Sequence, residues 1–170
     1  MDISIVPLNS ELANDLAEAF SRGGWNKPRE QFVKYLRQHE EGAIFCLVAK
    51  VAGTVAGYLK IVWLPDYAPL RVSGIPEIQD LNVLDRFRRK GVASRLLDEA
   101  EEQSAALAGV VGIGVGLHPG YNAAQRLYVL RGYVPDGLGV TYKDEYVDTD
   151  QVVTLDDDLI LHFTKELKRP

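Results

Sequence analysis

Apolar and polar positions change period several times along this chain. Ile3 to Leu8 is an apolar run that reads as a short first strand. Ser10 offers a side-chain cap for a helix in which Leu12, Leu16, Ala19 and Phe20 share one face. Gly23-Gly24, inside the stretch Ser21 to Lys27, breaks that helix. Pro28 suits the first turn of a second helix. Phe32, Tyr35, Leu36 and His39 then recur at helical spacing, and Gly42 marks the end. Two β-rich runs follow, Ile44 to Val51 and Thr54 to Leu64, joined at Ala52-Gly53 as a hairpin. Pro65 to Gly74 reads as a loop carrying Tyr67, Pro69 and Arg71.

The second half alternates more regularly. Pro76 to Leu84 reads as a strand, Arg86 to Gly91 as a basic turn, and Ala93 to Leu107 as a helix. Val92, Leu96 and Ala100 form that helix's apolar stripe, with Ala93 and Leu97 beside it. Val110 to Leu117 is a further strand, punctuated by Pro119-Gly120. Asn122 to Leu130 is a helix with Gly132 at its stop, and Asn122 and Gln125 have the spacing of a capping box. Val152 to Lys165 reads as the last strand, with a shorter one expected near Val140. The order predicts an α/β fold: a mixed sheet with helices on its faces, in which Ile78 to Leu117 is a right-handed parallel βαβ unit.

Composition narrows the class. A length of 170 residues fits one domain spanning 1–170, and 46% hydrophobic with 25% charged residues is ordinary for a globular protein. No apolar run is long enough to span a membrane, and the start MDISIVPLNS has neither the basic flank nor the apolar core of a signal peptide. A soluble, cytoplasmic protein is therefore expected. Cys46 is the one cysteine, so no internal disulfide can form; its apolar surroundings predict burial. His39, His118 and His162 are scattered and show no ligand spacing, so no metal site is expected. A net charge of −5 disfavours nucleic acid and is compatible with cationic partners such as amines.

The stretch richest in chemistry is Val83-Leu84-Asp85-Arg86-Phe87-Arg88-Arg89-Lys90-Gly91-Val92-Ala93, which leaves a strand and opens a helix. The first backbone N–H groups of a helix lack internal acceptors, and the helix dipole favours an anion there. Gly91 permits close approach of a phosphate, Ala93 is small, and Arg86, Arg88, Arg89 and Lys90 bring positive charge. A solvated basic turn is the plainer meaning of the same charges. Glycines at 109, 112, 114, 116 and 120 cannot be threaded by G-x-G-x-x-G, so a Rossmann site is not expected. Alternate glycines on a strand instead leave one face bare for close packing.

Arg88-x-x-Gly91-x-Ala93 resembles the pyrophosphate loop of GNAT acetyltransferases, whose pattern is Arg or Gln, two residues, Gly, one residue, Gly or Ala. Ala124, Leu127, Tyr128, Gly132 and Tyr133 resemble the same family's later helix. Tyr121 stands where that helix usually carries Asn, and Asn122 comes one position later. The resemblance covers residues 45 to 134. It implies a GNAT-like fold, acetyl-CoA as acyl donor, and direct transfer of an acetyl group to a primary amine of a small molecule or peptide. It assigns Tyr128 as the acid that protonates the departing thiolate, with Glu77 or Asp80 as candidate bases; both carboxylates also have a structural or solvated reading. It assigns cofactor contacts to the backbone of Leu81 and Val83, to Arg88, Arg89, Lys90, Gly91, Val92, Ala93 and Ser94, and to Asn122. It puts the acceptor near Trp25 to Arg29, Leu64 to Gly74 and Tyr142 to Leu159, where Tyr67, Tyr142 and Tyr146 could line a pocket. Asp156-Asp157-Asp158 there reads as a solvated strand end or as an amine-recruiting run. A homodimer through the tail strands is compatible with the family. A non-catalytic acyl-CoA-binding sensor is the alternative on the same fold.

Overall fold

The computed structural model describes residues 2–168. By their internal contacts these residues form two compact units: residues up to Trp63 with Ile78–Ser104, and Leu64–Glu77 with Ala105 onward. Both contain strands and helices.

In the first unit, β1 (Ile3–Pro7), β2 (Ile44–Val51), β3 (Thr54–Val62) and β4 (Glu77–Val83) are neighbours in that order. β1–β2 and β2–β3 are antiparallel, with Ile5 opposite Ala49 and Val48 opposite Tyr58. The β2–β3 turn places Ala52 at φ 47° and Gly53 at φ 79°, the two left-handed residues of a tight type I′ connection. α1 (Ser10–Arg22) is capped by Asn9, whose Oδ1 accepts from Leu12 N–H at 2.9 Å; Ser10 is the first helical residue, not the cap. Pro28 is the N-cap of α2 (Arg29–Glu40), and Gly42, at φ 74°, follows its end.

Leu12, Ala13, Leu16 and Phe20 of α1 are buried with Phe32 and Tyr35 of α2 and with Ile44, Cys46, Val48, Val55 and Tyr58 of the strands. Phe20 meets Trp25 and Tyr58 edge-on, with ring centroids 5.4 and 5.2 Å apart. Cys46 is fully buried, which pushes its thiol up to about 12. Gly57 on β3 lies so close to β4 that a Cβ there would sit 2.5 Å from the Asn82 carbonyl oxygen. The last element, α4 (Val92–Ala105), buries the expected stripe of Val92, Leu96 and Ala100; of the two residues expected beside it, Leu97 is buried and Ala93 is half-buried.

In the second unit the order is β5 (Val110–Gly116), β8 (Leu159–Glu166), β6 (Val134–Tyr142), β7 (Glu145–Tyr146). β5 and β8 are antiparallel with Gly114 opposite His162, and β8 pairs β6 with Ile160 opposite Thr141. α3 (Ala68–Val72) and α5 (Asn122–Leu130) complete it. The bare face expected of β5 is used for packing. Added Cβ atoms at Gly112 and Gly116 would fall 2.3 Å from side-chain atoms of Leu70 and Tyr121.

Three more expectations change. The stretch 65–74 is not all loop, because Ala68–Val72 closes a short helix with Pro69 in its first turn. The final strand begins at Leu159, not Val152, since Asp156–Asp158 turns the chain before it. The strand near Val140 is the longer Val134–Tyr142, kinked where Gly137 and Gly139 adopt φ 82° and 87°.

Candidate active site

The basic turn between β4 and α4 is tightly wound. Asp85–Phe87 form a 3-10 turn, Arg89 (φ 57°) and Gly91 (φ 84°) are both left-handed, and α4 begins at Val92. Arg95 N–H donates to the Gly91 carbonyl at 3.0 Å, so the N–H groups of Val92, Ala93 and Ser94 lie in the first turn, where a helix offers no internal acceptor. An added Cβ at Gly91 would meet only Ile3 Cδ1, at 4.0 Å, which leaves the space beside that turn open. This geometry fits a diphosphate.

Three of its four cations have partners close by. Arg88 pairs with Asp85 at 3.1 Å, donates to the Val83 carbonyl and lies over the Trp25 ring. Lys90 donates to the Arg86 carbonyl at 2.7 Å, and the Arg86 guanidinium lies over Phe87. Arg86, Arg88, Arg89 and Lys90 are exposed, and Ala93 and Ser94 are half-buried. Leu81 and Val83, half-buried on β4, immediately precede the turn.

Asp80 occupies a different setting. Its backbone is left-handed at φ 53° within β4, a conformation that Asp tolerates better than most residues. Five side chains donate to its carboxylate: Lys27 at 2.8 Å, Asn82 at 2.6 Å, Gln31 at 3.0 Å, Tyr35 at 2.8 Å and Tyr58 at 2.7 Å. Burial alone would raise its pKa. The Lys27 charge and the bonds from Lys27, Tyr58 and Tyr35 outweigh burial and hold Asp80 below the ordinary carboxylate value. Burial, then the Asp80 charge, raises Tyr35 and Tyr58 well above the usual phenol. No sequence motif announces this cluster. Lys27 lies 53 positions from Asp80.

In the second unit, Tyr128 is buried on α5, with its ring 5.9 Å from that of Tyr133. Burial, with a smaller contribution from Tyr121, raises its phenol above the ordinary value, so it stays protonated at neutral pH. Asn122 is exposed at the first position of α5. The capping box does not form, because Gln125 Nε2 donates to the Gly116 carbonyl at 2.9 Å instead. Tyr121, in place of the expected Asn, covers Gly116 and donates to Asp157 at 3.1 Å.

Glu77 is buried at the start of β4, and its Oε1 lies 3.6 Å from His162 Nδ1. Tyr67 lies flat on that imidazole and donates to Asp136 at 2.7 Å. The acidic run is more than a solvated end: Asp156 accepts from Tyr142 and Asp157 contacts His118 Nε2 at 2.8 Å. Sequence reasoning missed His162 and Thr141, because only the fold brings Thr141 to His162 and His162 to Glu77.

Residues 9–133 match the Acetyltransferase (GNAT) family. The chain belongs to the GNAT acetyltransferase family. A curated GNAT relative is GCN5-related N-acetyltransferase 4, chloroplastic, of Arabidopsis thaliana, 35% identical over 109 residues. That match spans 56% of this chain and 36% of the relative. Among solved structures, an N-acetyltransferase from Staphylococcus aureus Mu50 superposes with a TM-score of 0.71 at 16% identity, covering 99% of this chain and 100% of the other. The ribosomal-protein-alanine N-acetyltransferase from Brucella melitensis gives 0.70 at 18% identity, over 96% and 99%. These likenesses bear out the GNAT fold and its α/β class. No helix among the described residues is long and apolar enough to cross a membrane.

Proposed function

We propose that the chain is an acetyl-CoA-dependent N-acetyltransferase acting on a primary amine. The observation that carries this reading is the turn from Arg86 to Ser94, where left-handed Arg89 and Gly91 lead into the open first turn of α4. There the N–H groups of Val92, Ala93 and Ser94 would hold the coenzyme's diphosphate, with Arg88, Arg89 and Lys90 adding charge. The main chain of Leu81 and Val83 would align the pantetheine and polarise the thioester carbonyl, as the family resemblance implies. Asn122, being exposed, is left with a peripheral pantetheine contact at most.

Acetyl transfer needs a neutral amine, because an ammonium has no lone pair to attack with. Glu77 is the better base of the two carboxylates. Asp80 is saturated by five donors and held ionised, so it has little affinity for a further proton. Its role is to fix β4 to the loop before α2. Tyr128, kept protonated by burial, is suited to give the departing thiolate its proton. The acceptor is a small amine or a peptide N-terminus, approaching beside Tyr67 and the 142–159 stretch.

The test incubates the protein with acetyl-CoA and a panel of amines, polyamines, aminoglycosides, amino acids and alanine-starting peptides, and measures free CoA. Calorimetry with acetyl-CoA runs in parallel. Binding together with amine-dependent release supports the enzyme. Binding without release for any amine would favour a sensor, and absence of binding would remove the phosphate-loop reading.

A further inference from the structure

His162 is held more tightly than packing requires. β8 sets it opposite Gly114, so its ring meets no side chain from that position of β5. Tyr67 stacks on the ring with centroids 3.6 Å apart and planes 3° from parallel. Thr141 Oγ1 lies 2.9 Å from Nε2. The ring can therefore neither tilt nor flip freely, and its remaining nitrogen, Nδ1, faces Glu77 Oε1 at 3.6 Å. Nδ1 is sealed from solvent and has no hydrogen-bond partner. Burying such a nitrogen unpaired is costly, and a phenylalanine would stack on Tyr67 without that cost. The arrangement is explained if Nδ1 works on the carboxylate. Hydrogen bonds of this kind are commonly long before substrate binds.

We propose that His162 is a positioning residue for Glu77: Thr141 donates its hydroxyl hydrogen to Nε2, leaving Nδ1–H to orient the carboxylate toward the acceptor amine. This rests on the reading of Glu77 as the base. As the amine nitrogen bonds to the acetyl carbon and the carbon–sulfur bond breaks, the nitrogen gives one proton to Glu77 and the departing thiolate takes one from Tyr128. The imidazole keeps its Nδ1 proton throughout, so its charge does not change.

Nitrogen NMR of the full chain labelled at histidine tests the tautomer without any acceptor. The expected spectrum shows His162 with a protonated Nδ1 and a bare Nε2; the opposite tautomer would overturn the proposal. Kinetics follow with the best acceptor from the amine panel. His162→Phe keeps the stack and removes the N–H, and should lower kcat about 10–100-fold with KM for acetyl-CoA unchanged. His162→Asn puts an amide near the Nδ1 position and should recover part of that loss. Equal kcat for wild type and a folded His162→Phe protein would overturn the idea. Should His162→Phe not fold, Thr141→Val leaves the ring in place and should mix the tautomers and lower kcat; an unmixed tautomer and unchanged kcat would again overturn it. Glu77→Gln separates the two readings. A retained rate removes Glu77 as base, whereas a lost rate with an insensitive His162→Phe removes only the positioning role.

Discussion

Asp80→Asn isolates a charge at the centre of the first unit. Asparagine has the same shape and also tolerates a φ of 53°, so the backbone should persist while the carboxylate does not. What is lost is an ion pair with Lys27 at 2.8 Å, both side chains only 19% exposed, together with the charge-assisted character of four further bonds. Removing one member of a buried pair costs about 3–5 kcal/mol, and the residual exposure argues for the lower end. At roughly 3 kcal/mol, a chain of this size should melt about 6–12 °C lower. Asp80→Ala should lose a further ~1–2 kcal/mol, because alanine is strained in left-handed backbone. Urea titration followed by circular dichroism at pH 7 measures the differences. The pH dependence has a definite sign. Asp80 titrates lower in the folded chain than in the unfolded one, so its contribution is complete well above pH ~4 and disappears as pH falls through the depressed folded value. The gap between wild type and Asp80→Asn should therefore close in acid. A difference below about 1 kcal/mol at pH 7 would refute the account, since surface pairs are worth no more than that. A gap that widens in acid would do the same.

Four further outcomes are expected. Tyr128→Phe should reduce kcat by about 10²-fold with little change in acetyl-CoA affinity, and unchanged turnover would remove the phenol from the chemistry. Gly91→Val should weaken acetyl-CoA binding more than about tenfold in calorimetry, with a stability loss near 1–2 kcal/mol from its φ of 84°; normal affinity in the folded variant would contradict the loop assignment. Ala52→Asn should stabilise the hairpin by about 1 kcal/mol, because asparagine accepts the left-handed first position of the turn, and thermal melts would register it. Cys46 should resist thiol reagents until the chain is denatured, so rapid labelling of native protein would mean that the β2 core opens.

What the sequence made legible were local features. Asn122–Leu130 ends where its periodicity and Gly132 indicate, and the hairpin turns at Ala52-Gly53. The turn proposed to hold the diphosphate was readable as a turn because a strand end, a glycine and a helix start lie within a dozen residues. The Asp80 cluster was not, because Lys27, Tyr35 and Tyr58 converge on it from separate elements. His162 reads as a scattered residue in the sequence, since only the fold sets it opposite Gly114 on β5 and within hydrogen-bond distance of Thr141. The kinked β6 hid behind Pro135, Gly137 and Gly139, which weaken any strand pattern.

Gly57 carries a consequence for engineering. At Gly112 and Gly116 the obstacle to a larger residue is a side chain, which can swing aside. At Gly57 it is the main chain of Asn82 and Val83. Even a methyl group there would have to push that segment bodily, and the segment leads straight into the basic turn before α4. Under the proposed function, a substitution made on β3 to improve folding would also disturb the grip on the acyl donor, so coenzyme affinity belongs beside melting temperature as a gauge of tampering at this position.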